Sequence, residues 1–226
     1  MIPSATETDK KKKLDMKIAK GIEPEIITSK ELKIVAKDLG FKEGRLVGAS
    51  GNDRIYHTKR GMGLYLRMPQ WGVKFPLSHF FKQVLCILRI PPSQLSGTAW
   101  CYMASFEAIF QLYEKDFESS LLRKPTLPIF LFYFSFQPDR SWVTVRVTKN
   151  KLFNQFSKVD KIVSKYMYLP VQEEEDSSWC NYLPMKWREE VVMPARRSLT
   201  SHENFALNII ESIRQRKLYI LWISYH

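Results

Sequence analysis

Residues 74–110 read KFPLSHFFKQVLCILRIPPSQLSGTAWCYMASFEAIF, and the parsing of this stretch decides the fold. Phe75 stands before Pro76 and is therefore held extended. Pro76 itself is tolerated in a first helical turn. Leu77, Phe80, Phe81, Val84, Leu85 and Leu88 then recur in steps of three and one, which is one face of a helix. Pro91-Pro92 cannot continue that helix. Ser96 or Thr98 can cap the next one. There Ala99, Met103, Phe106, Phe110 and Tyr113 step by four and three, and Trp100 and Ile109 widen the face. Two amphipathic helices on a short proline linker predict a helical hairpin or corner, with each stripe burying the other.

Upstream, residues 1–27 read as a flexible basic lead. Lys10-Lys11-Lys12-Lys13 admits two readings there, a nuclear import signal or a solvated tail, and the tail is preferred. Thr28-Ser29-Lys30-Glu31 has the form of a capping box. Leu32, Val35, Ala36 and Leu39 follow at helical spacing, and Gly40 can close that helix. Five glycines fall between residues 42 and 63, with a turn expected at Gly51-Asn52-Asp53. No Gly-Lys-Ser/Thr ending follows them, so a phosphate-cradling loop is rejected. Leu64–Trp71 is a short mixed segment broken by Gly72.

Downstream, Ile129–Phe136 is continuously apolar, and periodicity leaves helix and strand both open. Gln137-Pro138-Asp139-Arg140 predicts a turn, and the alternating, β-branched Trp142–Val147 a strand. A helix is expected over Leu152–Ile162, and a second strand over Lys165–Val171 that pairs with the first. Glu173–Asp176 reads as an acidic surface loop. Thr200-Ser201-His202-Glu203 is a second capping box, followed by Phe205, Ala206, Ile209, Ile210 and Ile213 at helical spacing. The predicted class is α+β, mainly α-helical, with a helical pair packed on a small antiparallel β-sheet. The expected division is a lead over 1–27, a globular domain over 28–171, and an acidic loop with a C-terminal helix over 172–226.

Of the 226 residues, 45% are hydrophobic and 13% aromatic, enough to bury a core and argue against global disorder. The formal charge of +12 permits contact with nucleic acid or an anionic surface. Cys86, Cys101 and Cys180 form no C-x-x-C pair, so no disulfide framework is expected and an intracellular place, nucleus or cytoplasm, fits better. Neither Ile129–Phe136 nor Leu218–Ser224 approaches the roughly 20 residues of a membrane span. A soluble chain without a membrane partner is expected.

Chemistry is sparse. His57, His79, His202 and His226 lie far apart, in no metal-binding spacing. No G-x-S-x-G elbow is present. A Cys101–His79 pair is weighed against two unrelated core or surface residues, and the latter is preferred. Asp139, Asp160, Asp176 and Glu203 could be assembled into a carboxylate set holding two metal ions, but none lies at the end of a central strand. Trp142, Arg146 and Lys149 could form a stacking and phosphate patch, or a core ring beside a solvated cation. No catalytic, cofactor-binding or metal residue is assigned, and no cofactor is expected.

Residues 61–95, GMGLYLRMPQWGVKFPLSHFFKQVLCILRIPPSQL, resemble the plant gypsy-type transposon domain. The resemblance lies in Gly72-Val73-Lys74-Phe75-Pro76-Leu77, the pair Val84-Leu85, and Ile90, Pro92, Gln94 and Leu95. It continues through Trp100 and Phe106, the aromatic segment Phe130–Phe136 and Trp142, and covers about residues 55–171. The chain carries Ser96-Gly97-Thr98-Ala99 where the family has Pro-Asn before the tryptophan, and Lys165-Tyr166 where a tryptophan precedes the second strand. The resemblance implies a transposable-element-derived, gag-like plant protein, without enzymatic activity, acting by self-association or nucleic-acid contact. A DNA-processing enzyme of transposition and a domesticated host interaction protein are the alternatives. It transfers no catalytic residue.

Overall fold

The linker at Pro91-Pro92 is the hub of the molecule. In the computed structural model, which describes residues 10–50, 53–56, 61–112, 124–152, 164–170 and 183–217, it separates two helices, α3 (His79–Leu88) and α4 (Gly97–Leu112). The Ser78 Oγ caps α3 by accepting the Phe81 N–H at 3.2 Å. Arg89, in the left-handed region at φ 56°, ends that helix two residues before the prolines. Ser96, one of the two caps expected, starts α4 by accepting the Ala99 N–H at 3.1 Å. The apolar faces meet through rings. Phe80 lies 5.6 Å from Phe106, and Phe81 lies 5.3 Å, edge-on, from Trp100. The Ser78 hydroxyl also bonds the Glu107 carboxylate of α4, a polar tie between the two helices.

Around this pair the chain lays down β1 (Lys10–Lys13), α1 (Lys17–Lys20), α2 (Ser29–Leu39), β2 (Val47–Gly48) and β3 (Met62–Tyr65). After α4 come α5 (Leu127–Tyr133), β4 (Phe134–Asp139), β5 (Trp142–Val147), β6 (Tyr166–Leu169), β7 (Glu190–Met193) and α6 (Ser201–Lys217). The class is α+β as predicted. Both capping boxes form, with the Thr28 Oγ1 accepting from the Glu31 N–H and the Thr200 Oγ1 from the Glu203 N–H, each at 3.2 Å. Gly40 closes α2 at φ 89°.

The undecided apolar run is both elements at once. Pro128 sits in the first turn of α5, and the helix gives way to strand between Tyr133 and Phe134. Phe130 is the pivot, 5.3 Å from Phe106 and 4.7 Å from Phe134. The strand runs through Asp139, so the reversal falls at Arg140-Ser141, two residues later than expected, with Arg140 at φ 58°. Phe205 departs from its predicted role. It stays 46% exposed, while Ala206, Ile210 and Ile213 are buried.

The second strand does not pair with the first. β5 pairs with β4 in a local hairpin, and β6 lies between β2 and β3 in a separate antiparallel sheet, Met62 opposite Leu169 and Val47 opposite Tyr168. The reason is burial. All four β6 residues are buried, so its backbone needs ladder partners on both edges. Nor is the lead flexible from residue 10 onward. β1 pairs with β7, Lys10 opposite Met193 to Lys13 opposite Glu190, and Leu14, Met16, Ala19 and Ile27 are buried. Leu14 and Ile27 join Val191, Met193, Ala206 and Ile210 in one apolar cluster. The expected turn at 51–53 is described only at Asp53. The helix over 152–162 beyond Leu152, the acid run 173–176 and the last residues, 218–226, lie outside the described residues.

Candidate functional site: a polar clasp at the proline turn

Pro92–Gln94 forms a short 3-10 turn whose three residues are all buried. Buried polar groups must find partners, and here the partners lie outside the turn, on α4, on β5 and on residues 187–188. The Gln94 amide takes both groups of one peptide. Its Nε2 donates to the Arg188 carbonyl at 2.5 Å, and its Oε1 accepts the Arg188 N–H at 2.8 Å. The Ser93 Oγ accepts the Trp187 Nε1–H at 2.8 Å. The Pro92 carbonyl accepts the Trp100 Nε1–H at 3.3 Å. The Ser96 N–H donates to the Val143 carbonyl at 2.9 Å, and the Ser96 hydroxyl to the Thr144 Oγ1 at 3.0 Å. Gly63 of β3 backs onto the same turn. A Cβ there would lie 2.8 Å from the Ile55 carbonyl and 3.4 Å from the Ser93 Oγ, so the strand approaches only because the position is glycine.

An aromatic seam continues from the clasp. Trp187 packs edge-on to Trp142 at 5.8 Å and to Tyr56 at 6.4 Å. The Trp142 Nε1–H donates to the Tyr65 hydroxyl at 2.9 Å. Burial pushes the Tyr65 hydroxyl well above the usual tyrosine range, which keeps it protonated. Trp142 is thus core, and Arg146 and Lys149 beside it are exposed.

The other sequence candidates are spent on structure or lie apart. Burial pushes the Cys101 thiol up to about 11 and raises that of Cys86, so neither is a thiolate at neutral pH, and His79 is an exposed first-turn residue of α3. Asp139 stands opposite Trp142 at the hairpin end. His202 is exposed in the first turn of α6. His57, His226, Asp160, Asp176 and Cys180 lie outside the described residues. Among the described residues no group of three or more His, Cys, Asp or Glu side chains converges as metal ligands would. Among them, too, no helix is long and apolar enough to cross a membrane.

Glu203, the buried one of the two described carboxylates weighed for a metal set, is saturated by other partners. It takes the Thr200 N–H at 2.9 Å and hydroxyl at 3.0 Å, Arg197 at 2.7 and 2.8 Å, and the Thr126 hydroxyl at 3.3 Å. Burial alone would raise its pKa, but the Arg197 and Thr200 donors together outweigh it and hold the carboxyl below its ordinary value. A carboxyl more acidic folded than unfolded contributes stability above its unfolded value, about 4.3, and loses it as the pH falls through the folded value. The difference in unfolding midpoint between wild type and Glu203→Gln should therefore shrink between about pH 6 and pH 3. A difference independent of pH over that range would contradict the assignment.

No family model, no curated protein and no solved structure matches the chain. Ile90, Pro92, Gln94 and Leu95 are the clasp and its flanks, all buried.

Proposed function

We propose that this is a transposable-element-derived, gag-like protein without enzymatic activity, acting by self-association or nucleic-acid contact. The observation that carries the reading is where the polar chemistry goes. Among the described residues every buried side-chain nitrogen and oxygen has a hydrogen-bond partner. Gln94, Ser93, Tyr65 and Glu203 each hold one part of the chain to another. The excess of 35 basic over 23 acidic residues supports action at the surface by charge. Self-association has support at β2, a two-residue strand at one edge of the β6 sheet, where Val47 is 41% exposed. Ile26, just before the neighbouring helix α2, and Ile34, on it, are 85% and 51% exposed.

Two measurements on the whole chain test this. Light scattering across a concentration series should show mass rising above one chain, or anisotropy of a labelled nucleic acid should show binding that weakens steeply with salt. A monomer at all concentrations with no such binding overturns the proposal. So does metal-dependent nicking or strand transfer on plasmid DNA, which would favour the enzyme of transposition instead. A reverse transcriptase or integrase frame next to the gene would support the element origin, and an isolated, intron-bearing, expressed gene a host role.

A further inference from the structure

We infer that the corner where β1, α1 and the tip of the β4–β5 hairpin meet is a binding surface for the phosphate backbone of nucleic acid, without base readout. This rests on the nucleic-acid arm of the reading above and gives it an address. Three segments distant in sequence are pinned together here. The Asp15 N–H donates to the Arg140 carbonyl at 2.9 Å and the Ala19 N–H to the Ser141 Oγ at 3.2 Å. The Ser141 hydroxyl in turn donates to the Asp15 carbonyl. The Leu14 N–H donates to the Glu189 carbonyl at 2.7 Å, which fixes residues 188–190 to the same corner.

These bonds bring together the segments that carry Lys12, Lys13, Lys17, Lys20, Arg140 and Arg188, all exposed, with Lys12 and Lys13 on opposite faces of β1. Four carboxylates share the corner: Asp15, Glu189, Glu190, and Asp139 at the hairpin end. Asp15 accepts the Lys17 N–H at 3.0 Å, Glu189 lies 4.0 Å from Lys20, and Glu190 stands opposite Lys13 in the ladder. Cations therefore outnumber acids six to four, on backbone held in place by hydrogen bonds, so little further ordering is needed on binding. Ammonium groups on flexible stems suit phosphate oxygens and carry no base code. The nearby rings are turned inward. Trp142 is bonded to Tyr65, and Trp187 to Ser93. Among the described residues, nothing on this face offers the stacking platform that single-strand readers use. β1 is also an edge strand, and lysines on an edge oppose strand addition by another chain.

The test is anisotropy of a labelled, mixed-sequence duplex with the whole chain, over a salt series. The variant Lys12→Gln/Lys17→Gln/Arg140→Asn removes three corner charges, and Asn tolerates the positive φ at position 140. The control Lys30→Gln/Lys37→Gln/Lys42→Gln removes three exposed charges on and beside α2. Thermal midpoints confirm that both are folded. The corner variant should bind about tenfold or more weakly at low salt, and its log–log salt slope should fall by about 0.9 per charge removed, with the control near wild type. Scrambling the duplex sequence should change nothing. Equal losses in the two variants would overturn the corner while leaving nucleic-acid contact standing. No binding by the wild-type chain would overturn both. Equal binding to anionic vesicles or polyglutamate competitors, or a strong sequence preference, would overturn the phosphate-backbone assignment.

Discussion

Phe106→Ala should lower the unfolding free energy by about 3–5 kcal/mol, the usual loss for truncating a buried aromatic ring. Phe106 is fully buried and stands where four segments converge. Its ring lies 5.6 Å from Phe80 on α3, 5.3 Å from Phe110 on α4, 5.3 Å from Phe130 on α5 and 6.4 Å from Phe134 on β4. Removing it deletes ring contacts to every one of them and leaves a cavity that helices on three sides cannot collapse into together. Against a typical total of about 5–15 kcal/mol, that loss is large enough to cost cooperative unfolding. Urea titration by circular dichroism checks it. A change under about 1 kcal/mol would mean that the faces flanking the prolines are not a packed core.

Gln94→Leu should cost about 1–3 kcal/mol even though leucine is apolar and similar in size. The side chain it replaces is fully buried and answers both the N–H and the carbonyl of Arg188. Leucine removes both hydrogen bonds, each worth about 0.5–1.5 kcal/mol. The loss should also be local in character. Amide exchange at Arg188, and then at the β7 residues that follow, should speed more than exchange in α4, because the clasp is what holds residues 187–188 against the turn. Hydrogen exchange with peptide-level resolution reads this directly. Uniform acceleration across the chain would mean that Gln94 supports the core generally, not that segment. Arg146→Ala, at an exposed position, should stay within about 0.5 kcal/mol of wild type.

Legibility in the sequence follows the range of the interactions. The two capping boxes span four residues each, and both the caps and the helices they start were readable because donor and acceptor sit in one short window. The α3 and α4 stripes were readable for the same reason, since periodicity is local. Ile129–Phe136 was not, because an apolar run carries no period. What decides it is Pro128 at one end and the ladder partner Val147 at the other. The placement of β6 had no local signal at all, as its partners lie more than a hundred residues away. Lysine alternation said nothing of β1 either, since its strand character comes from pairing with β7. The clasp was half legible. The order Ile90, Pro92, Gln94, Leu95 announced a turn, but nothing in the sequence tied Gln94 to Arg188 or Ser93 to Trp187 across ninety-four residues. The basic corner was legible only as charge, not as a place. Its cations come from residues 12–20, 140 and 188, joined by backbone hydrogen bonds that no composition reports.

The central claim is that the stretch on either side of the double proline exists to pack against itself and to anchor the rest of the chain. A double-mutant cycle on Phe80→Leu and Phe106→Leu, measured by urea unfolding, tests it most directly, because leucine keeps both variants folded well enough to compare. Rings 5.6 Å apart across the α3–α4 interface should couple by about 0.5–1.5 kcal/mol. Strict additivity, with a coupling indistinguishable from zero, would show that the two faces do not touch and would contradict the account.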